Sequence, residues 1–454
     1  MKFRSHLHGV YGGVLTLILV GVSAQSQAFP EFARKYHVTC ARCHVGFPKL
    51  NSFGKNFQLH GYQQPGDQKV GKENIPEDKD LSLLQNLPVG VLIENNFQLD
   101  KKVKSDNPLA INSPDAFHLL LGGTIAPDIG MFAELESTSD GTGMAKTEVT
   151  FNHLGNQNIH LQIGKLDPME HGVTQHDLFT LSNYSIYQLG DFGFGNFNLG
   201  DENRGIRVYG LVNAAVTPAL IHGGVKTEGA TPDNPTATPP PPNHGPSLVP
   251  GLKQQDQGQD EAEPMDPMDQ LKGGLWEVGL FTGSGDPIGK DAKDAMGRFN
   301  LYFNNDSFVG VYGYTGRTVI GDPITGVNNN HHLVGADFST YWGKAFEKSP
   351  GVMQKPINLL GGYVSGKDDN PLGDGTKVSW NGGFLEGDYI MKKSVFLVRY
   401  DRVDSKNFTD MRRNQITANY TYWLRTNFEL GLEYTHDNTN KRLNALSVNF
   451  NFAF

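Results

Sequence analysis

The chain has 454 residues, a formal net charge of -9 and a hydrophobic fraction of only 38%, with 54 glycines and two cysteines. The acidic balance excludes the electrostatic footprint of a nucleic-acid partner. This length ordinarily means two or three domains. One large closed β-barrel also accounts for it, because such a barrel buries little conventional core.

Lys2 and Arg4 precede an apolar run from Val10 to Val22, which breaks into Ser26-Gln27-Ala28. A charged start, a short apolar stretch and a small-x-small site read as a signal peptide over residues 1–28, with cleavage after Ala28 or alternatively after Ala24. The run is too short to span a bilayer as a helix. After Val22 nothing resembles a transmembrane helix, so the signal implies export without a helical anchor.

Residues 29–75 form a distinct segment organised around Cys40-Ala41-Arg42-Cys43-His44. Two thiols three positions apart followed by an imidazole are what covalent attachment of a c-type haem requires. The thiols add to the two vinyl groups, and His44 is the proximal iron ligand. A bare pair of cysteines suits zinc or redox chemistry equally, but both cysteines of the chain are here, and only haem gives His44 a role. The expected cofactor is therefore one covalently bound haem c, held by Cys40, Cys43 and His44.

Leu50, Phe53 and Phe57 recur at helical spacing, with Pro48 near the start of the helix and Gly61 near its end. So short a segment cannot bury a haem alone and needs a host. Arg34, Lys35, Arg42 and Lys55 are candidate partners for the propionates. For the distal side of the iron, His60 is the nearest candidate in sequence; His37, Met169 and His171 are the others, and an open position is a further alternative.

From Pro88 the pattern changes to period two. Leu446, Val448, Phe450, Phe452 and Phe454 alternate with Ser447, Asn449, Asn451 and Ala453, and similar runs recur along the chain. Alternation in roughly ten-residue segments separated by turns is the signature of an outer-membrane barrel. A soluble sandwich alternates too, but the export signal, the aromatic residues near strand ends and the terminal Phe454 weigh against it. The fold class expected is all-β: a transmembrane antiparallel β-barrel of about sixteen strands over residues 76–454, with the small α-helical segment plugging its lumen. The pattern gives about seventeen candidate strands, and the even-number rule selects sixteen. Glu429 and Glu433 would face inward. Between 226 and 272 eight prolines crowd Thr231–Pro250 and an acidic run follows, which predicts a disordered loop.

Phe32-Ala33-Arg34, the Cys40–His44 motif, Pro48-x-Leu50-Asn51-x-Phe53-Gly54-x-x-Phe57 and Gly61-Tyr62, ahead of a porin-like remainder, resemble the outer-membrane monohaem cytochrome–porin fusions of iron-oxidising bacteria. That resemblance implies electron transfer across the outer membrane, from extracellular Fe(II) or another external redox partner to a soluble periplasmic cytochrome, with lipid around the barrel. The rival expectations are a porin whose haem is a structural plug, and a conduit exporting electrons to an external acceptor.

Overall fold

A computed structural model describes residues 31–36, 38–64, 72–75, 78–84, 89–99, 109–139, 141–190, 197–212, 271–283, 294–304, 307–321, 326–349, 351–439 and 444–453. The signal peptide, His37, the proline-rich and acidic stretch and Phe454 lie outside these. Two short helices come first, α1 (Glu31–Tyr36) and α2 (Ser52–Leu59), then a hairpin of β1 (Lys72–Ile75) and β2 (Asp78–Leu84). The first half of the remaining strands comprises β3 (Val89–Leu99), β4 (Leu109–Ala126), β5 (Ile129–Thr138), β6 (Gly141–Phe151), β7 (Ile159–Leu166), β8 (Asn203–Val212), β9 (Gly273–Phe281) and β10 (Asp294–Asn304). The second half comprises β11 (Ser307–Ile320), β12 (Val327–Trp342), β13 (Phe346–Ser349), β14 (Val352–Gln354), β15 (Ile357–Asp368), β16 (Val378–Ile390), β17 (Ser394–Ser405), β18 (Arg413–Arg425), β19 (Phe428–Asp437) and β20 (Ala445–Ala453). Apart from β1, β2 and the small β13–β14 hairpin, these strands close one sixteen-stranded antiparallel barrel. The seam is β20 against β3, with Leu446 opposite Leu99 and Phe452 opposite Ile93.

The alternation has the hand of a membrane barrel. Along β17, Phe396, Val398 and Tyr400 face outward while Arg399 and Asp401 point into the lumen; Val398 is 60% exposed, and the two charged residues are 0% exposed. A water-soluble sandwich would place these two sets the other way round. Trp342 and Tyr389, exposed at the ends of β12 and β16, fall where an aromatic girdle stands. The turns Pro127-Asp128 and 426–427 lie at the same end as the start of β3 and the end of β20.

The lumen holds more than the plug expected from the sequence. Between β7 and β8, residues 167–190 and 197–202 fold inward, and Met169, Val173, Leu178, Tyr184, Ile186, Tyr187 and Leu189 join the largest apolar cluster among the described residues. Tyr184 stacks on Phe384 of β16 at 3.7 Å. The loop's backbone is held by wall carboxylates: the Leu181 and Ser182 N–H groups donate to Glu433 at 2.7 and 3.1 Å, Ser185 N–H to Asp401 at 3.0 Å, and Val173 N–H to Asp337 at 3.0 Å. Two buried arginines grip it in return. Arg399 donates to the Thr180 hydroxyl at 2.7 Å and the Ser182 carbonyl at 2.8 Å, and Arg207 to the Asp167 carbonyl at 3.1 Å and Glu170 at 2.5 Å.

Arg399→Ala strips these donors and leaves Asp401, its other partner at 2.7 Å, buried without its counter-charge. Losing one partner of a buried pair costs about 3–5 kcal/mol. The expected result is a released inward loop in an intact barrel: higher single-channel conductance in planar bilayers, new protease cleavage within 167–202, and unchanged heat-modifiable migration on gels.

Candidate functional site

The segment expected to hold the cofactor is a cork in the mouth where β3 starts and β20 ends. Cys40–Arg42 form one 3₁₀ turn, closed by Cys43 N–H and His44 N–H donating to the Cys40 carbonyl at 3.1 and 2.9 Å. Helix α2 follows, about 12 Å long for its eight residues. Its start is capped by the Asn51 side chain, which accepts from Gly54 N–H at 3.0 Å. Its end is a Schellman turn: Tyr62 N–H donates to the Phe57 carbonyl at 2.9 Å and Gly61 N–H to Gln58 at 3.0 Å, with Gly61 at φ +62°. The apolar contact that accompanies this motif is Tyr62 against Phe57, with centroids 5.8 Å apart. Phe53 and Phe57 of the stripe pack with Tyr62, Phe32 and Tyr36 against Phe132 of β5.

The chemistry of the donor set is compatible with a haem c. Cys40 and Cys43 form no disulfide and share one turn. The Nδ1 of His44 donates to the Pro48 carbonyl at 3.0 Å, which places the lone pair on Nε2, the form in which a histidine ligates iron. Cys40 borders a small open cleft lined by the apolar and aromatic Phe47, Leu92, Trp423 and Phe452 and by the polar Thr426, Asn427, Glu429 and Asn451. Burial lowers the pKa of His44 and pushes Cys43 up to about 12.

The cork is anchored to opposite walls. Lys49, buried, pairs with Asp388 at 2.5 Å and Glu386 at 3.2 Å on β16. Burial alone would lower the pKa of Lys49, but these two carboxylates raise it, so the ammonium stays charged. On the other side Gln58 donates to Glu170 at 2.9 Å, and Tyr209 of β8 donates to the Leu59 carbonyl at 2.9 Å. Gly130 of β5 lies so near the Gly61 carbonyl that any side chain there would collide with it.

The other residues singled out from the sequence are scattered. Lys55 lies 3.8 Å from Asp177, Lys35 donates to Thr124 at 3.2 Å, Arg34 donates to the Val89 carbonyl, and Arg42 covers the Phe53 ring at 3.9 Å. Met169 is buried in the inward loop, and His171 pairs with Glu277 at 2.5 Å. Glu429 and Glu433 are buried on the lumen face. His60, at the C-terminal end of α2, is fully buried, and that burial lowers its pKa to about 4. It stands with His153 and His160, two residues the sequence reading did not select. They lie on either side of a turn and a strand start, with no spacing motif to link them to a helix some ninety positions earlier.

No family model and no curated protein matches the sequence. Among solved structures the chain is similar to OmpT, an outer membrane protein of Vibrio cholerae, at 8% identity over 81% of this chain and 97% of that one, with a TM-score of 0.46. It is also similar to Salmonella typhi OmpF in complex with daunomycin, at 9% identity over 81% and 97%, with a TM-score of 0.48. A mutant of the Rh. blastica porin is similar at 10% identity over 81% and 100%, with a TM-score of 0.42. At such values the barrel rests on its own strand pairing.

Lys49→Ala leaves Glu386 and Asp388 side by side on β16 with no cation of the cork between them. A loss of about 3–5 kcal/mol in docking of the segment is expected. Limited proteolysis should cut the chain ahead of Val89 much faster than in the wild type, and adding Glu386→Gln and Asp388→Asn should restore most of the protection.

Proposed function

We propose that this porin-like barrel carries one haem c in its periplasmic mouth and transfers electrons across the bacterial outer membrane. Extracellular Fe(II) is the donor and a soluble periplasmic cytochrome the acceptor. The observation that carries the reading is the placement of Cys40, Cys43 and a His44 with its lone pair on Nε2 in a cork beneath the inward loop. Bound there, haem supplies reversible one-electron chemistry at iron. The chain's own part is to hold it through two thioether bonds and the His44 nitrogen, and to exclude water with Phe47, Trp423 and Phe452. The donor and the direction rest on the resemblance to the cytochrome–porin fusions. Export to an external acceptor uses the same parts in reverse.

The sixteen-stranded barrel favours a second reading, a passive pore with a structural haem. The inward loop and the cork both stand in its lumen.

Cys43→Ala should abolish or strongly weaken haem-linked peroxidase staining after denaturing electrophoresis, and the wild type should exceed its mature polypeptide mass by one haem. His44→Ala should shift the haem spectrum and stop electron transfer while the barrel stays heat-modifiable. Stopped-flow mixing of Fe(II) with oxidised protein in detergent, followed at the haem α-band, should show reduction. A wild type of unmodified mass, from cells that mature c-type cytochromes, would remove the haem; a haem that Fe(II) fails to reduce would leave export or the structural plug.

A further inference from the structure

Where α2 meets the barrel wall, three histidines converge. His60 follows the helix, His153 sits in the turn after β6, and His160 is the second residue of β7. One ring nitrogen from each lies within 4.8 Å of the other two, and the ring centroids are 5.2–5.9 Å apart. His60 and His160 are 0% exposed and His153 4%.

The hydrogen bonds fix which nitrogen each ring offers. His60 Nδ1 donates to the Asn56 carbonyl at 2.7 Å, His160 Nδ1 to Asn152 Oδ1 at 2.8 Å, and His153 Nδ1 to Asp128 Oδ1 at 3.1 Å. All three partners are oxygen acceptors. The Asn152 amide nitrogen is itself occupied, donating to the His60 carbonyl and to Gln63 Oε1, both at 2.8 Å, so its oxygen is the atom facing His160. The proton of each ring is therefore on Nδ1 and the lone pair on Nε2. The Nε2 atoms of His60 and His160 are buried without a hydrogen-bond partner. Asp128 and His153 both sit in the left-handed region, at φ +58° and +52°, a conformation held only where surroundings enforce it.

Neutral imidazoles anchored through Nδ1 to oxygens are the arrangement that metal-binding histidines adopt. We propose that His60, His153 and His160 bind a divalent transition-metal ion of the zinc class, and that the ion staples the cork to the barrel wall. An all-imidazole set suits zinc, copper, iron or nickel and not calcium or magnesium. Zn–N bonds of about 2.0–2.1 Å bring three nitrogens to roughly 3.4 Å apart, so the rings close inward by about 1 Å on loading, and the fourth position is left for water. One ligand comes from the cork and two from the wall, so the site is complete only when the cork is docked, and binding adds to docking. None of the three residues belongs to the Cys40–His44 motif, and the site stands whether or not haem is attached.

The test uses the full-length protein in detergent, treated with chelator and dialysed against Zn(II). One zinc per chain should remain after gel filtration, and the zinc-edge X-ray absorption spectrum should show three imidazole neighbours. His153→Gln and His160→Gln should each weaken zinc at least tenfold without altering the haem spectrum or the heat-modifiable migration. Asn152→Ala, which removes the His160 anchor, should weaken it about 10–100-fold. Zinc should also slow proteolysis of residues 31–64 in the wild type and not in His153→Gln. A folded wild type that retains no zinc overturns the proposal, as does zinc held equally well by His153→Gln. A haem spectrum changed by His60→Gln, in a protein that takes up no zinc, would assign His60 to iron instead.

Discussion

A sheet closed on itself sends every second side chain into the lumen, and where that lumen is packed the charged ones must find partners away from water. This constraint shapes everything inside the barrel. Arg207, Arg298 and Arg399 are fully buried side chains on the inner wall, and Asp337, Glu386, Asp388 and Asp401 face them or stand close by. Few of these groups are satisfied by the wall alone. Glu433, Asp401 and Asp337 take backbone N–H groups from the inward loop, and Glu386 and Asp388 take Lys49 from the cork. The wall therefore selects its own filling.

The cork and the loop are layers of one packing. Asp177 of the loop accepts from Leu50 N–H at 3.4 Å and faces Lys55, while Glu170 joins Gln58 of the cork to Lys146 and Arg207 of the wall. Helix α2 spans the mouth between β16, through Lys49, and the β6–β8 wall, through His60 and the Leu59 carbonyl. The helix thus has chemistry at both ends: the Cys40–His44 turn with its aromatic cleft at one, and the histidine cluster at the other. A rigid capped helix is what keeps the two ends at fixed places in the barrel.

Much of the fold is legible in the sequence because the barrel repeats one rule. Lipid outside and polar partners inside make alternation compulsory in each strand, so Leu446 to Ala453 or Phe428 to Tyr434 declare both their conformation and their faces. The helix of the cork is legible for a similar local reason, since Leu50, Phe53 and Phe57 mark its stripe and Gly61 its left-handed exit. The Cys40–His44 donor set is legible too, because its members are adjacent. The inward fold of residues 167–202 is not. That stretch has no period, and it is held inward by single hydrogen bonds that its N–H groups donate to Glu433 and Asp401 and that its oxygens accept from Arg399, more than two hundred positions away.

By itself, then, the sequence determined the barrel, the helix of the cork and the haem-type motif, each of them set by spacings within a few residues, while sixteen strands followed only with the even-number rule. The tertiary structure alone decided that the lumen is filled, that Lys49 pairs with β16, and that His60 meets His153 and His160. Those contacts join segments that only barrel closure brings together, and a side chain carries no mark of the distant partner its buried charge or lone pair will require.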